Sequence, residues 1–178
     1  MNGMVWVRVI LGAVWVNGGL EKLLNPDFPQ QFAQSLQAGG FVSGAPAFFQ
    51  EFMAVYVVPN ALLVGQLVRF GELLMGLALI VGLLTNLAAV GSIVLSLAVM
   101  LSQGGVRFGT GLGAPEFLNI NLLMALLSLV VLLSAAAKAH SFDEGLAGRR
   151  PALTALLLNR RSGYARTTTR NVRRRSYG

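Results

Sequence analysis

The chain has 178 residues, 54% of them hydrophobic and 12% charged, with a mean hydropathy of +0.65. A soluble domain is about 25% charged, so this composition cannot cover a water-facing surface, and lipid is the solvent it calls for. The absence of cysteine and the single histidine, His140, exclude disulfides, iron–sulfur ligation, thiol catalysis, cysteine-bound zinc and bis-histidine haem within the chain.

The formal charge of +7 is unevenly spread. Up to Ala137 there are four basic residues (Arg8, Lys22, Arg69, Arg107) and five acidic ones (Glu21, Asp27, Glu51, Glu72, Glu116). From Lys138 onward there are ten basic residues against Asp143 and Glu144, so the basicity belongs to the tail.

The first apolar run covers about Val5 to Leu20. It starts too early for a normal signal-peptide n-region, and Asn17-Gly18-Gly19 offers no convincing cleavage site, so it reads as a retained first span. Residues 25–58 are broken by Asn25-Pro26, Phe28-Pro29, Gly39-Gly40 and Gly44-Ala45-Pro46, and carry Phe32, Leu36, Phe41, Phe48, Phe49, Phe52 and Tyr56. That mixture predicts a loop with one or two short amphipathic helices at the membrane interface.

The second span is expected at about Ala61 to Leu83 and the third at about Leu87 to Leu101, with Thr85-Asn86 as the tight turn between them. Gln103-Gly104-Gly105 and residues 109–115 read as a glycine-rich loop, and the fourth span runs from about Phe117 to Ala137, opened by Asn119 and Asn121. Each long run approaches the roughly 20 residues that cross a hydrocarbon core. Backbone groups in lipid must be satisfied internally, so the spans are helices. Gly65, Gly71, Gly76, Gly82 and Gly91 are small residues that would let them approach closely.

The expected architecture is therefore an all-α membrane protein: a four-transmembrane-helix bundle over residues 1–145, with an interfacial helical loop after the first span and a basic cytoplasmic tail over 146–178. The positive-inside rule places the arginine-rich tail in the cytoplasm, and an even number of spans puts Met1 on the same side. Membrane lipid is the primary partner. The tail suits anionic lipid or an acidic protein surface, and no specific nucleic-acid module is recognisable.

Charges inside membrane helices are costly and mark candidate sites. Arg69 and Glu72 are three residues apart on one face of the second span, Arg8 lies one or two turns into the first, and Glu21 and Lys22 sit at its outer end. In an antiparallel pair of spans, Arg69 and Glu21/Lys22 come to similar depth. Two readings stay open. In one, Glu72 and Lys22 are the catalytic pair, Glu72 or Glu21 moves protons, and Arg69, Glu21 and Trp15 help bind the head group of a quinone or a small oxyanion. In the other, the charges form an interhelical salt bridge that fixes packing.

Three stretches together resemble the DoxX/DoxD family: Asn17-Gly18-Gly19-Leu20-Glu21-Lys22-Leu23, the run from Gly71-Glu72-Leu73 through Gly82-Leu83-Leu84-Thr85, and Ala139-His140-Ser141-Phe142-Asp143. The resemblance covers roughly residues 4–145, and the long 25–58 insert is most similar to the DoxD branch. It implies the small membrane subunit of a thiosulfate:quinone oxidoreductase in a bacterial or archaeal inner membrane, with quinone as the electron acceptor and further membrane-complex subunits as partners. It also implies that Lys22 and Glu72 are the site and that Asp143 marks the cytoplasmic end. The alternative is a non-catalytic accessory subunit of a larger respiratory or photosynthetic membrane complex, held by its basic tail. A small-solute transporter fits less well, because the chain shows no inverted repeat or broken-helix pair.

Overall fold

A computed structural model describes residues 3–38, 40, 42–105 and 119–149. Among these the protein is all-helical. Helix α1 (Gly3–Leu24) is followed by α2 (Phe28–Gln37) and α3 (Ala47–Phe52), then by α4 (Ala61–Val81), α5 (Thr85–Ser102), α6 (Ile120–Leu133) and α7 (Phe142–Arg149). The tail beyond residue 149, and residues 106–118 of the glycine-rich loop, lie outside the described residues.

Three stretches are long and apolar enough to cross a membrane: Gly3–Leu24, Ala47–Val81 and Thr85–Ser102. The expected second span is found as α4. Its helical path begins fourteen residues earlier than expected, because α3 leads into α4 through a π turn (Met53–Val57) and a 3-10 turn (Val58–Asn60). Pro59 lacks the N–H of a regular helix and crowds the preceding turn, and the two irregular turns absorb that defect without ending the helix.

The third span is longer by about a turn than its apolar run. The turn before it falls at Gly82–Leu84 rather than at Thr85-Asn86, since Thr85 is already the first residue of α5. Gly82 takes a left-handed φ of 74°, and Leu84 follows with φ 52°. The described part of the last apolar run, α6, has 14 residues.

Helices α1, α4, α5 and α6 pack side by side around Leu11, Trp15, Leu79, Ala89, Met124 and Val131. The closest approach is between α1 and α4. A Cβ on Gly12 would lie 2.7 Å from the Gly76 carbonyl, and one on Gly19 would lie 2.6 Å from the Leu73 nitrogen. Glycine removes the side chain that would otherwise hold the backbones apart. Of the small residues singled out from sequence, Gly76 makes this contact, whereas a Cβ on Gly71 would meet nothing within 4 Å.

The 25–58 segment builds a second, smaller core. Ala33, Leu36, Ala45, Phe49 and Met53 pack with Ala61 at the start of α4. Pro29 is buried against Gly65, which seats α2 across α4.

Two ends of the molecule are thereby defined. At one end lie the start of α1, the α4–α5 turn and residues 137–143, where the Arg8 guanidinium donates to the Ala137 carbonyl at 3.0 Å. At the other end lie Lys22, the 25–58 helices, the end of α5 and the start of α6. There Asn119 caps α6 by accepting from the Asn121 N–H at 2.8 Å, as expected, and both asparagine amides donate to Gln103 Oε1.

Candidate functional site

Lys22 stands in the last turn of α1, and Glu72 stands halfway along α4. The antiparallel pairing of the two helices at Gly19 and Leu73 brings their side chains together, so that Lys22 Nζ lies 2.7 Å from Glu72 Oε2. The Lys22 ammonium also donates to its own helix at the Gly18 carbonyl, 3.3 Å away, and lies 5.9 Å from the centre of the Phe28 ring. The Glu72 side chain is 7% exposed and that of Lys22 27% exposed. The pair is therefore charge-compensated but still accessible through the lysine.

The pair forms the charged part of the wall of a cavity of about 460 Å³. The rest of the wall is largely apolar and aromatic. Trp15 comes from α1, Phe28 and Phe32 from α2, Phe49 and Phe52 from α3, and Met124 from α6, while Ser102 and Asn121 add neutral polar groups at one end. The 25–58 segment, expected as interfacial aromatic surface, thus turns four of its rings into the site.

Trp15 is 8% exposed and its indole nitrogen donates to Ser92 Oγ at 2.6 Å, whereas Trp6 is 53% exposed and lies away from the cavity. Three of the five residues expected at the site, Lys22, Glu72 and Trp15, line one cavity. The other two do not line it. Arg69 sits with its guanidinium 5.1 Å from the ring of its neighbour Phe70. Glu21 is exposed beside Lys22 and reaches Glu72 through its charge alone. Arg69 and Glu72 share a helix face by their spacing, but Glu72 pairs across to Lys22 on α1 while the Arg69 guanidinium lies beside Phe70.

A second charged cluster occupies the opposite end. Arg8, Lys138 and Asp143 are all buried, at 1%, 1% and 0% exposure. Asp143 accepts from the Leu84 and Thr85 N–H groups at 2.8 and 2.7 Å and donates its own N–H to the Gly82 carbonyl at 2.9 Å. The carboxylate therefore caps α5 and clamps the left-handed turn before it. Its charge also acts on Arg8 and Lys138. Sequence reasoning located Asp143 as an end marker but missed its role as a cap, since nothing local links it to residue 85.

The architecture is that of a multi-pass membrane protein in which a partly buried ion pair lines an apolar, ring-walled cavity. The chain belongs to the DoxD family, described as the TQO small subunit DoxD, whose model matches residues 4–154. No curated protein and no solved structure matches it.

Proposed function

We propose that the protein is the membrane subunit of a thiosulfate:quinone oxidoreductase and that the Lys22–Glu72 cavity holds the quinone head group. The observation that carries this reading is the ion pair in the wall of an aromatic cavity of about 460 Å³. Small-ligand sites have that form: mostly hydrophobic and aromatic walls with a few placed polar groups. Lys22 donates a hydrogen bond to a quinone oxygen, stabilising the negative charge that arrives with electrons from the partner subunit. Glu72, held against Lys22, takes up a proton from the aqueous side and passes it to the reduced quinone. Phe28 and Trp15 offer flat faces to the ring.

The reading extends to the rest of the chain. Helix α6, roughly 21 Å long at 1.5 Å per residue, makes a fourth crossing together with the turn at Ala136–Lys138 that follows it, and α2 and α3 lie at the membrane interface. The basic tail stays in the cytoplasm against anionic lipid or a partner subunit.

Gentle purification from the native membrane, followed by assay of thiosulfate-dependent quinone reduction, tests it. Activity that disappears in both Glu72→Gln and Lys22→Met supports the oxidoreductase reading. The 2.7 Å pair also ties α1 to α4, which favours a second reading as an accessory subunit. That reading prevails if a stoichiometric complex keeps its activity in both variants but falls apart when residues 149–178 are removed.

A further inference from the structure

The polar groups behind the cavity wall form a chain that crosses three helices. Trp15 on α1 donates from Nε1 to Ser92 Oγ on α5 at 2.6 Å. Ser92 Oγ lies 2.6 Å from Ser128 Oγ on α6, and Ser128 Oγ donates to the Met124 carbonyl at 2.7 Å. Ser92 and Ser128 are both fully buried.

With the Ser128 hydroxyl donating to the Met124 carbonyl, Ser92 is the donor to Ser128 and the acceptor of the indole N–H. A serine in a helix usually returns its proton to its own backbone. Ser128 does so, while Ser92 points across to its neighbour instead. The chain begins at an indole N–H and ends at a backbone carbonyl, so it has no titratable group at either end and cannot carry protons to the cavity. What it can do is fix an orientation. An indole N–H inside a membrane protein must find a partner, and here that partner is itself held by a third helix.

We infer that Ser92 and Ser128 are positioning residues that lock the indole of Trp15 as a wall of the cavity and so set its affinity for a flat ring. The inference rests on the quinone reading of the cavity. Met124 lines the same cavity and its carbonyl anchors the chain, so both ends of the relay meet the ligand space. Loss of the Ser92 hydroxyl leaves the indole N–H buried without its partner and the ring free to turn about its side-chain bonds, and loss of the Ser128 hydroxyl removes the group that holds Ser92 in place.

The test uses the full chain carrying Trp6→Phe, which leaves Trp15 as its one tryptophan, with duroquinone as the probe. Saturable quenching of Trp15 fluorescence by duroquinone gives the half-saturation concentration directly. The expected result is a rise of threefold or more in Ser92→Ala and in Ser128→Ala, with Ser92→Thr, which keeps the hydroxyl, close to the starting protein. In the thiosulfate–quinone assay, KM for quinone should rise by a similar factor while kcat stays within about twofold. Half-saturation values that are equal in Ser92→Ala, Ser92→Thr and the starting protein overturn the inference while leaving the quinone reading intact. Absence of saturable quenching in the Trp6→Phe protein itself overturns both together. Ser128→Ala provides the reading should Ser92→Ala fail to fold.

Discussion

The Asp143 carboxylate caps helix α5 at Thr85 from 58 residues further along the chain, accepting the Thr85 N–H at 2.7 Å. The same side chain holds Leu84 in its left-handed conformation and supplies the negative charge facing Arg8 and Lys138. Asp143→Ala should therefore cost more than an ordinary cap: about 1–2 kcal/mol for the capping bonds, plus the cost of leaving two buried cations without a counter-charge. Asp143→Asn, which keeps one capping oxygen, should fall between the two. Thermal unfolding in a mild detergent measures both, and an Ala variant as stable as the parent would refute the clamp.

The Lys22–Glu72 pair should behave as a coupled unit. Removing one partner strands the other charge in an apolar wall, a change that costs about 3–5 kcal/mol for a fully buried pair and somewhat less here because Lys22 keeps 27% exposure. Lys22→Met and Glu72→Gln should each destabilise, and the double variant should be more stable than the sum of the single changes predicts. Quinone reduction should be lost in all three. A double-mutant cycle on unfolding midpoints, run alongside the activity assay, separates the two effects.

Close packing of α1 on α4 makes Gly12, Gly19 and Gly76 intolerant of a methyl group. Gly19→Ala would push Cβ to 2.6 Å from the Leu73 nitrogen, and overpacking of this kind costs about 1–3 kcal/mol. Gly71→Ala should be neutral or stabilising, since nothing lies within 4 Å and alanine is the better helix former by about 1 kcal/mol. Opposite effects of the two alanines on Tm would confirm the packing geometry, and equal effects would contradict it.

Lys138 ends the short 3-10 turn (Ala136–Lys138) after α6, donating to the Leu132 carbonyl at 2.7 Å. Burial pushes its ammonium down to about 8 from 10.5, partly opposed by the Asp143 charge. The unfolded chain then binds more protons than the folded one between those values, so stability should be level below about pH 8 and rise from there toward pH 10.5. Unfolding midpoints measured from pH 7 to 10 should show that rise in the parent and lose it in Lys138→Met.

Much of the fold was legible as composition. The spans beginning near Val5, Ala61 and Leu87 are read from apolar runs because lipid demands them and the backbone must then be helical. Lys22 and Glu72 were legible for the complementary reason, that a charge in such a run is expensive and needs a purpose. The aromatic residues of the 25–58 segment were legible as a group, but not as walls of a cavity, because residues 28, 32, 49 and 52 meet only once α2 folds back over α4 and α3 packs against α5.

Sequence by itself thus determined the solvent, the helices and the cost of each buried charge, all properties of a residue and its near neighbours. Only the tertiary structure decided which charges meet. It joined Glu72 to Lys22 rather than to Arg69 three residues away, placed Asp143 on the amide of Thr85, and hung Trp15 from Ser92 and Ser128. Those choices depend on how closely glycine lets one helix approach another and on which turn of each helix faces inward. A hydrogen bond of 2.7 Å is sensitive to that geometry, and an apolar run is not.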